Sequence, residues 1–345
     1  MGVTVERVAD LSPDRRSEIT VFLDCHTRSH PFQYPQFVAA AGTGDASIVV
    51  TVGDRGRLVL SGVGMAGRPY GRLPLLSLTF RYGPVTDSAD ALASALAALT
   101  REARARRTTQ IDAHPLWPRP EQVALGIALD RGVRRGRASF APVAGSSASL
   151  RVTLREPDVQ LATFRQSTRY EIRRAEKAGV GVVGGTDAAT MTAFAEVHRR
   201  AADGRGYVPE PADFLARIGA WLRAEPGRGT VLLAQRDGDT IGGLVALRAG
   251  ATAWYLWGGA GRVPGVSAGH LLQARAMAWA WDQGCAAYDL SGGVATTGVA
   301  AFKRGFGGMP VEYVEGVRLD LAAGTNRFLR SATALRQRAR RSGPA

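Results

Sequence analysis

Four stretches of this 345-residue chain carry residue types that could do chemistry together. In Gly298-Val299-Ala300-Ala301-Phe302-Lys303-Arg304-Gly305 a cationic pair sits among apolar residues and glycines. Lys303 there could stabilise a developing oxyanion; a surface lysine in a short helix is the plain alternative. Tyr288-Asp289-Leu290-Ser291-Gly292-Gly293 reads as a strand end followed by glycines that let the chain turn sharply. Asp289 either faces a cleft or accepts hydrogen bonds from that turn. Trp254-Tyr255-Leu256-Trp257 reads as a strand whose alternation sends Trp254 and Leu256 to one face and Tyr255 and Trp257 to the other. One aromatic face could line a cleft, and ordinary sheet packing would also explain it. Finally, Arg262-Val263-Pro264-Gly265-Val266-Ser267-Ala268-Gly269 joins a strand to a helix, where small residues would bare backbone N–H groups to a phosphate. No Ser-His-Asp or Cys-His arrangement is visible.

Elements to position these groups can be read from the pattern. Residues 47–52 and 57–65 form a hairpin around Gly53-Asp54-Arg55-Gly56. A helix over 88–106 and a strand over 109–112 follow. The second half repeats the order: strands over 230–235, 241–248 and 252–257, a helix over 268–283 capped by Gly284, and a strand over 286–290. Agreement across hairpin, helix and strand points to an internal duplication and an α/β architecture. It sets Gln110-Ile111-Asp112 opposite Ala287-Tyr288-Asp289. Between the halves, 159–178 is expected to be helical, with Arg165, Arg169, Arg173 and Lys177 near one row of its surface. That row is either a phosphate-tracking stripe or the solvated face of an amphipathic helix. Helices over 187–202 and 211–224 flank a loop, 204–210. The arginine-rich 326–341 reads as a last helix.

Composition limits the class. With 45% hydrophobic residues the chain can bury a large core, and its length suggests two domains. The 44 Lys and Arg against 30 Asp and Glu give +14, which suits a polyanionic partner and equally suits an arginine-rich surface. Cys25 and Cys285 are the two cysteines, and five histidines are scattered, so neither a disulfide framework nor a zinc site is expected. Neither a signal peptide nor a membrane-spanning run is seen, which predicts a cytoplasmic protein. Contact with a membrane surface through basic patches stays open.

The 262–269 loop is similar to the RxxGxG/A loop with which GNAT-type acetyltransferases hold the coenzyme A pyrophosphate, with Ser267 in the final place. A wider resemblance covers roughly residues 30 to 315. Phe32-Gln33-Tyr34-Pro35-Gln36-Phe37, Tyr82-Gly83-Pro84-Val85, the run from Arg169 to Val180, Tyr288 to Gly293, and Phe302-Lys303-Arg304-Gly305-Phe306-Gly307 together resemble the FemABX family of aminoacyl-tRNA-dependent transferases. The resemblance implies two tandem GNAT-like domains with a cleft between them, here 1–150 and 151–317, with a C-terminal helix in 318–345 packing on the first. There is no room for the coiled-coil arm of some members. It implies an aminoacyl group moving from tRNA to an amine acceptor, with aminoacyl-tRNA as co-substrate and no cofactor. Lys303 then looks like the lysine that assists the aminoacyl ester, and Asp112 like an acidic position near the acceptor amine.

Around them, Phe302, Tyr255, Trp257, Tyr288 and Arg205 are expected to contact substrate. Arg165, Arg169, Arg173, Lys177, Arg262, Gly265, Ser267, Gly269 and Arg304 are expected to contact tRNA or phosphate. One departure is that cell-wall members hold a muropeptide diphosphate with two basic residues, and near Ala39, where one belongs, nothing basic lies close; Arg205 could fill the second place. A small peptide or secondary metabolite thereby becomes an alternative acceptor. An acyl-coenzyme A donor and a non-catalytic RNA-binding role are the competing functions.

Overall fold

The computed structural model describes residues 1–68, 73, 75–136, 139–143, 148–204, 206–261, 263, 265–292, 298–322 and 324–326. The chain forms two compact units, one of 1–22, 43–147 and 313–345, the other of 23–42 and 148–312. In chain order the elements begin β1 (Gly2–Arg7), α1 (Pro13–Cys25), α2 (Pro35–Ala40), β2 (Ile48–Asp54), β3 (Arg57–Gly67), β4 (Leu76–Phe80), α3 (Ala89–Ala105), β5 (Thr108–Ala113), α4 (Gln122–Gly136) and β6 (Ser139–Val143). They continue with β7 (Ala148–Thr153), α5 (Pro157–Thr163), α6 (Gln166–Lys177), β8 (Gly181–Gly185), α7 (Ala188–Asp203), α8 (Ala212–Ala224), β9 (Gly229–Arg236) and β10 (Asp239–Ala249). The last are β11 (Thr252–Ala260), α9 (Ala268–Asp282), β12 (Ala287–Asp289), α10 (Gly298–Arg304), β13 (Met309–Glu312) and β14 (Gly316–Asp320).

Each unit is built on a seven-stranded sheet. The orders are β1-β2-β3-β4-β5-β14-β6 and, from the opposite edge, β8-β9-β10-β11-β12-β7-β13. Both sheets are antiparallel except at one internal pair, β4 with β5 and β11 with β12, and in each case the pair is bridged by a long helix, α3 or α9. Both open with a tight hairpin whose two central residues are left-handed: Arg55 (φ 48°) and Gly56 (φ 79°), then Asp237 (φ 51°) and Gly238 (φ 86°). That conformation matches the strand twist of a two-residue hairpin loop and favours glycine. The two halves therefore repeat one acetyltransferase-like plan in tandem.

Each sheet buries one helix stripe. On α3, Leu92, Leu96, Leu99 and Ala103 are spaced at one turn and pack with Val50, Val52, Phe80 and Ile111. On α9, Leu272, Ala276 and Ala280 recur at the same spacing among Leu232, Leu244, Ala253 and Tyr288. Among the described residues no helix is long and apolar enough to cross a membrane.

Three sequence expectations need correction. The helix expected over 159–178 is broken: α5 ends at Thr163, Phe164 and Arg165 are extended, and α6 starts at Gln166. Tertiary contacts hold the break. Phe164 is buried edge-on against Phe306 (5.2 Å), and the Arg165 backbone N–H donates to the Gly305 carbonyl (2.9 Å). Arg165 thus caps α6 and lies outside its helical row.

Second, β11 carries a bulge. Trp257 pairs with Val245 and Tyr255 with Ala246, so Leu256 is the extra residue and the alternation shifts. Trp254 and Trp257 consequently share one face, near His30 (4.4 Å) and Phe32 (6.5 Å) respectively, and Tyr255 faces the other way. Third, residues 316–320 form strand β14 where the C-terminal helix was expected from 318; residues 327–345 lie outside the described ones.

Candidate active site

The second sheet splits. β12 pairs with β11 over only three positions, Thr252 with Ala287, Ala253 with Tyr288 and Trp254 with Asp289. Beyond them β11 runs on to Ala260, while the other chain turns away at Ser291 (φ 53°) and Gly292 (φ 26°). The gap opens into a cavity of about 840 Å³. Tyr255 and Ala260 of β11 form one wall, Ser267, Gly269 and Gln273 of α9 another, and Phe302 and Lys303 of α10 a third.

Lys303 is 8% exposed. Its ammonium donates to the Ser291 carbonyl and to the Gly292 carbonyl (3.0 Å), and lies 5.7 Å from the centre of the Tyr255 ring. Burial lowers its pKa to about 8, and the nearby Asp289 charge opposes that shift. At pH 7 the ammonium still outnumbers the free amine by about ten to one. It is nonetheless a readier proton donor than a solvated lysine.

Asp289 is fully buried and does not line the cavity. One oxygen accepts from the Ser149 hydroxyl and the Ser291 N–H (2.8 Å), and the other from Arg151 Nε (3.4 Å). Burial raises its pKa against the pull of these partners. Its physical effect here is to fix the turn whose carbonyls hold Lys303. Sequence reasoning had no signal for Ser149 and Arg151, which lie some 140 residues earlier and arrive through β7.

The loop before α9 behaves in part as expected. Arg262 lies outside the described residues. Gly265 takes φ 75°, and the guanidinium of Arg174, which sequence reasoning passed over, approaches it closely enough to leave little room for a Cβ (3.1 Å). Ser267 does not cap α9 with its side chain; its hydroxyl instead meets His270 Nδ1 at 2.5 Å. His270, also missed, packs edge-on against Phe302 (4.7 Å), and burial lowers its pKa despite the opposing charge of Glu171. Ser267, Ala268 and Gly269 bring the first turn of α9 to the cavity wall. The leading N–H groups of a helix have no partner within it, so this wall suits an anion.

Other expected site residues lie elsewhere. Trp257, on the far face of β11 because of the bulge, donates its indole N–H to Glu210 (2.7 Å) and packs against Phe214. Tyr288 is fully buried, and its hydroxyl donates to Gln273 Oε1 (2.9 Å). Arg169 turns back to the carbonyls of Ala162 and Phe164 at the end of α5, whereas Arg173 and Lys177 are exposed on α6. Arg304 follows Lys303 without lining the cavity. Arg205 lies outside the described residues. At the end of α2, near Ala39, Arg217 of α8 donates to the carbonyls of Ala40 (3.1 Å) and Ala41 (3.4 Å).

Asp112 belongs to the first unit. Its two oxygens accept from Nε (2.7 Å) and Nη2 (2.8 Å) of Arg318, its register partner on β14, and Gln110 adds a third hydrogen bond (2.9 Å). Among the described residues no group of three His, Cys, Asp or Glu side chains is placed to hold a metal ion.

Known proteins share this fold. The model of an acetyltransferase (GNAT) domain matches residues 162–304, which contain the whole cavity. A UDP-N-acetylmuramoylpentapeptide-lysine N(6)-alanyltransferase of Weissella viridescens is 27% identical over 138 residues. That match covers 39% of this chain and 40% of the relative, so it spans about two fifths of the length of each. The crystal structure of FemX superposes with a TM-score of 0.80 at 15% identity, over 95% of this chain and 99% of that one. A tandem GNAT protein from the clavulanic acid biosynthesis pathway reaches 0.56 at 14% identity, over 93% and 98%. At these identities the superpositions establish a tandem GNAT-like fold along nearly the entire chain.

Proposed function

We propose that this chain, a tandem GNAT-like protein that resembles the FemABX family, forms an amide bond by moving an aminoacyl group from aminoacyl-tRNA to an amine. The observation that carries the reading is the Lys303 ammonium, held by two backbone carbonyls at the wall of a cavity that opens where β11 and β12 part. An aminoacyl ester is already activated, so an enzyme can gain most of its acceleration by positioning it and stabilising charge. The acceptor's neutral amine attacks the ester carbonyl, and its electrons move onto the carbonyl oxygen. The Lys303 ammonium stabilises that oxyanion. Collapse expels the ribose hydroxyl oxygen, which takes a proton, and the new amide nitrogen loses one. A lysine with a pKa near 8 is well matched to supplying the leaving-group proton at neutral pH.

The first turn of α9 and the surplus of 14 positive charges both favour a phosphate-bearing carrier. Of the expected tRNA stripe, Arg165, Arg173 and Lys177 are exposed, the last two on α6. Asp289 acts by positioning Lys303. Asp112 is committed to Arg318, so pairing with an acceptor ammonium requires it to share or exchange that partner. The acceptor is an amine of a peptidoglycan precursor or of a small peptide.

The α9 wall equally suits the pyrophosphate of an acyl-coenzyme A, which keeps that donor as the second reading. Purified protein incubated with mixed charged tRNAs and candidate amines, read by mass spectrometry, separates the two. The expected result is a mass gain of one aminoacyl residue that ribonuclease abolishes. Transfer from acyl-coenzyme A that survives ribonuclease would overturn the proposal. Full RNA binding and function in Lys303→Ala would point instead to a non-catalytic module.

A further inference from the structure

The face of α9 turned to the sheet is apolar except at one place. Leu271, Leu272, Ala276 and Met277 are buried there, and so is Gln273, only 2% exposed. A buried amide in such a stripe requires partners for its oxygen and its nitrogen. The oxygen has one: it accepts from the hydroxyl of Tyr288, which is itself fully buried. Among the described residues, the Nε2 group has no acceptor in the chain. Gln273 nevertheless lines the cavity that holds Lys303.

The Tyr288 contact fixes which end of the amide faces the cavity. Oε1 of Gln273 is the acceptor that the buried phenolic proton finds. Turning the amide over would let Nε2 donate to the phenolic oxygen but would leave the buried phenolic proton without that acceptor, which burial penalises. Gln273 is therefore locked with its NH2 group available to the cavity and its oxygen taken. A group presented in this way donates hydrogen bonds and accepts none. It repels the α-ammonium of an aminoacyl ester and selects an oxygen.

We infer that Gln273, held by Tyr288, donates a hydrogen bond from Nε2 to an oxygen of the transferred aminoacyl group, and so reads the acyl part of the donor. The inference rests on the cavity being the acyl-donor site. The RNA carrier is too large for a cavity of about 840 Å³, so the group that reaches a side chain as buried as Gln273 is the acyl group. Two oxygens qualify, the carbonyl oxygen common to every aminoacyl group and a side-chain oxygen found only in some. A buried donor left without a partner strongly disfavours ligands that cannot satisfy it.

Binding of stable donor analogues tests this without any acceptor. The full chain is titrated with RNA hairpins whose 3′-terminal 3′-amino-adenosine is amide-linked to alanine, valine, serine or threonine, and with the same hairpin unacylated. Wild type is expected to bind acylated hairpins more tightly than the unacylated one. In Gln273→Met, which keeps the volume and loses the donor, affinity for acylated hairpins should fall about tenfold, the size of one such hydrogen bond, with the unacylated hairpin unchanged. A fall confined to serine and threonine assigns the contact to a side-chain oxygen, and an equal fall for all four assigns it to the carbonyl. Tyr288→Phe keeps Gln273 and frees its amide to rotate, and should lose affinity for the same hairpins by a smaller factor.

Retention of wild-type affinity for all acylated hairpins in both variants overturns the inference, as does an equal loss for the unacylated hairpin. If wild type binds acylated and unacylated hairpins alike, the donor-site reading itself fails. That result is seen before any variant is made.

Discussion

Lys303→Met should separate activity from stability in opposite directions. Burial moves the ammonium from 10.5 to about 8. At 1.36 kcal/mol per unit, keeping it charged at neutral pH costs about 3 kcal/mol relative to solution. Methionine removes that cost and fills similar space. Against this, the Ser291 and Gly292 carbonyls lose their donor, at roughly 1 kcal/mol each, part of which cavity water restores. The balance lies between zero and about 2 kcal/mol in favour of the variant. For a chain this size, at about 2–4 °C per kcal/mol, the melting temperature should hold or rise by up to roughly 8 °C. Turnover of charged tRNA should meanwhile drop about 10²- to 10³-fold, the loss typical of one oxyanion-stabilising group.

The sign has a pH signature. Because the folded pKa is depressed, the folded chain binds fewer protons than the unfolded one between about 8 and 10.5. Wild-type stability should therefore rise relative to the variant across that window, while below pH 8 the full cost persists. Thermal melts of both proteins from pH 7 to 10, beside a mass-spectrometric transfer assay, measure each part. A melting temperature lowered by more than about 5 °C, with turnover within threefold of wild type, would show that Lys303 is a structural cation with no part in transfer.

Three further outcomes are expected. Asp289→Asn removes the charge that supports the Lys303 ammonium, so the alkaline limb of the kcat/KM profile, set near pH 8 in wild type, should move to lower pH; an unmoved limb would dissociate Asp289 from Lys303. Gly305→Ala would place a Cβ 2.3 Å from the Thr168 hydroxyl and 3.0 Å from the Phe302 carbonyl, and should lower stability by about 1–3 kcal/mol in urea unfolding, with wild-type stability counting against this packing. Asp24 sits under the Arg228 guanidinium (2.6 and 2.8 Å) and accepts from the Tyr34 hydroxyl (2.7 Å); these partners hold its pKa down against burial. Its contribution is complete above its unfolded pKa of about 4 and is lost as pH falls through the lower folded value, so Asp24→Asn should destabilise at pH 7 by about 2 kcal/mol and much less near pH 2.

Much of the plan was legible in local sequence. The two hairpin turns announce themselves because a left-handed pair demands glycine, and Gly56 and Gly238 supply it. The periodic apolar stripes of α3 and α9 mark the paired helices of the repeated unit. Lys303 stood out because a cation between apolar residues and glycines is out of place unless it is used. A polar residue in an apolar stripe is the same kind of signal, and Gln273 carried it unnoticed.

What the chain order determined by itself is the repeated hairpin–helix–strand text and the residue types available for carbonyl chemistry. Only the tertiary structure decided which of them meet. The break between α5 and α6, which removes Arg165 from its expected row, is held by Phe306 and Gly305, some 140 residues along the chain. The bulge that turns Trp257 away from Tyr255 is a register property of β10 against β11, invisible to alternation counted on one strand. The turn that grips Lys303 depends on Ser149 and Arg151 reaching Asp289 across the sheet. Periodicity and turn preference are short-range steric effects and can be read from neighbours in sequence. Charge placement and hydrogen-bond closure depend on distances through space, which the chain sets only when its strands have paired.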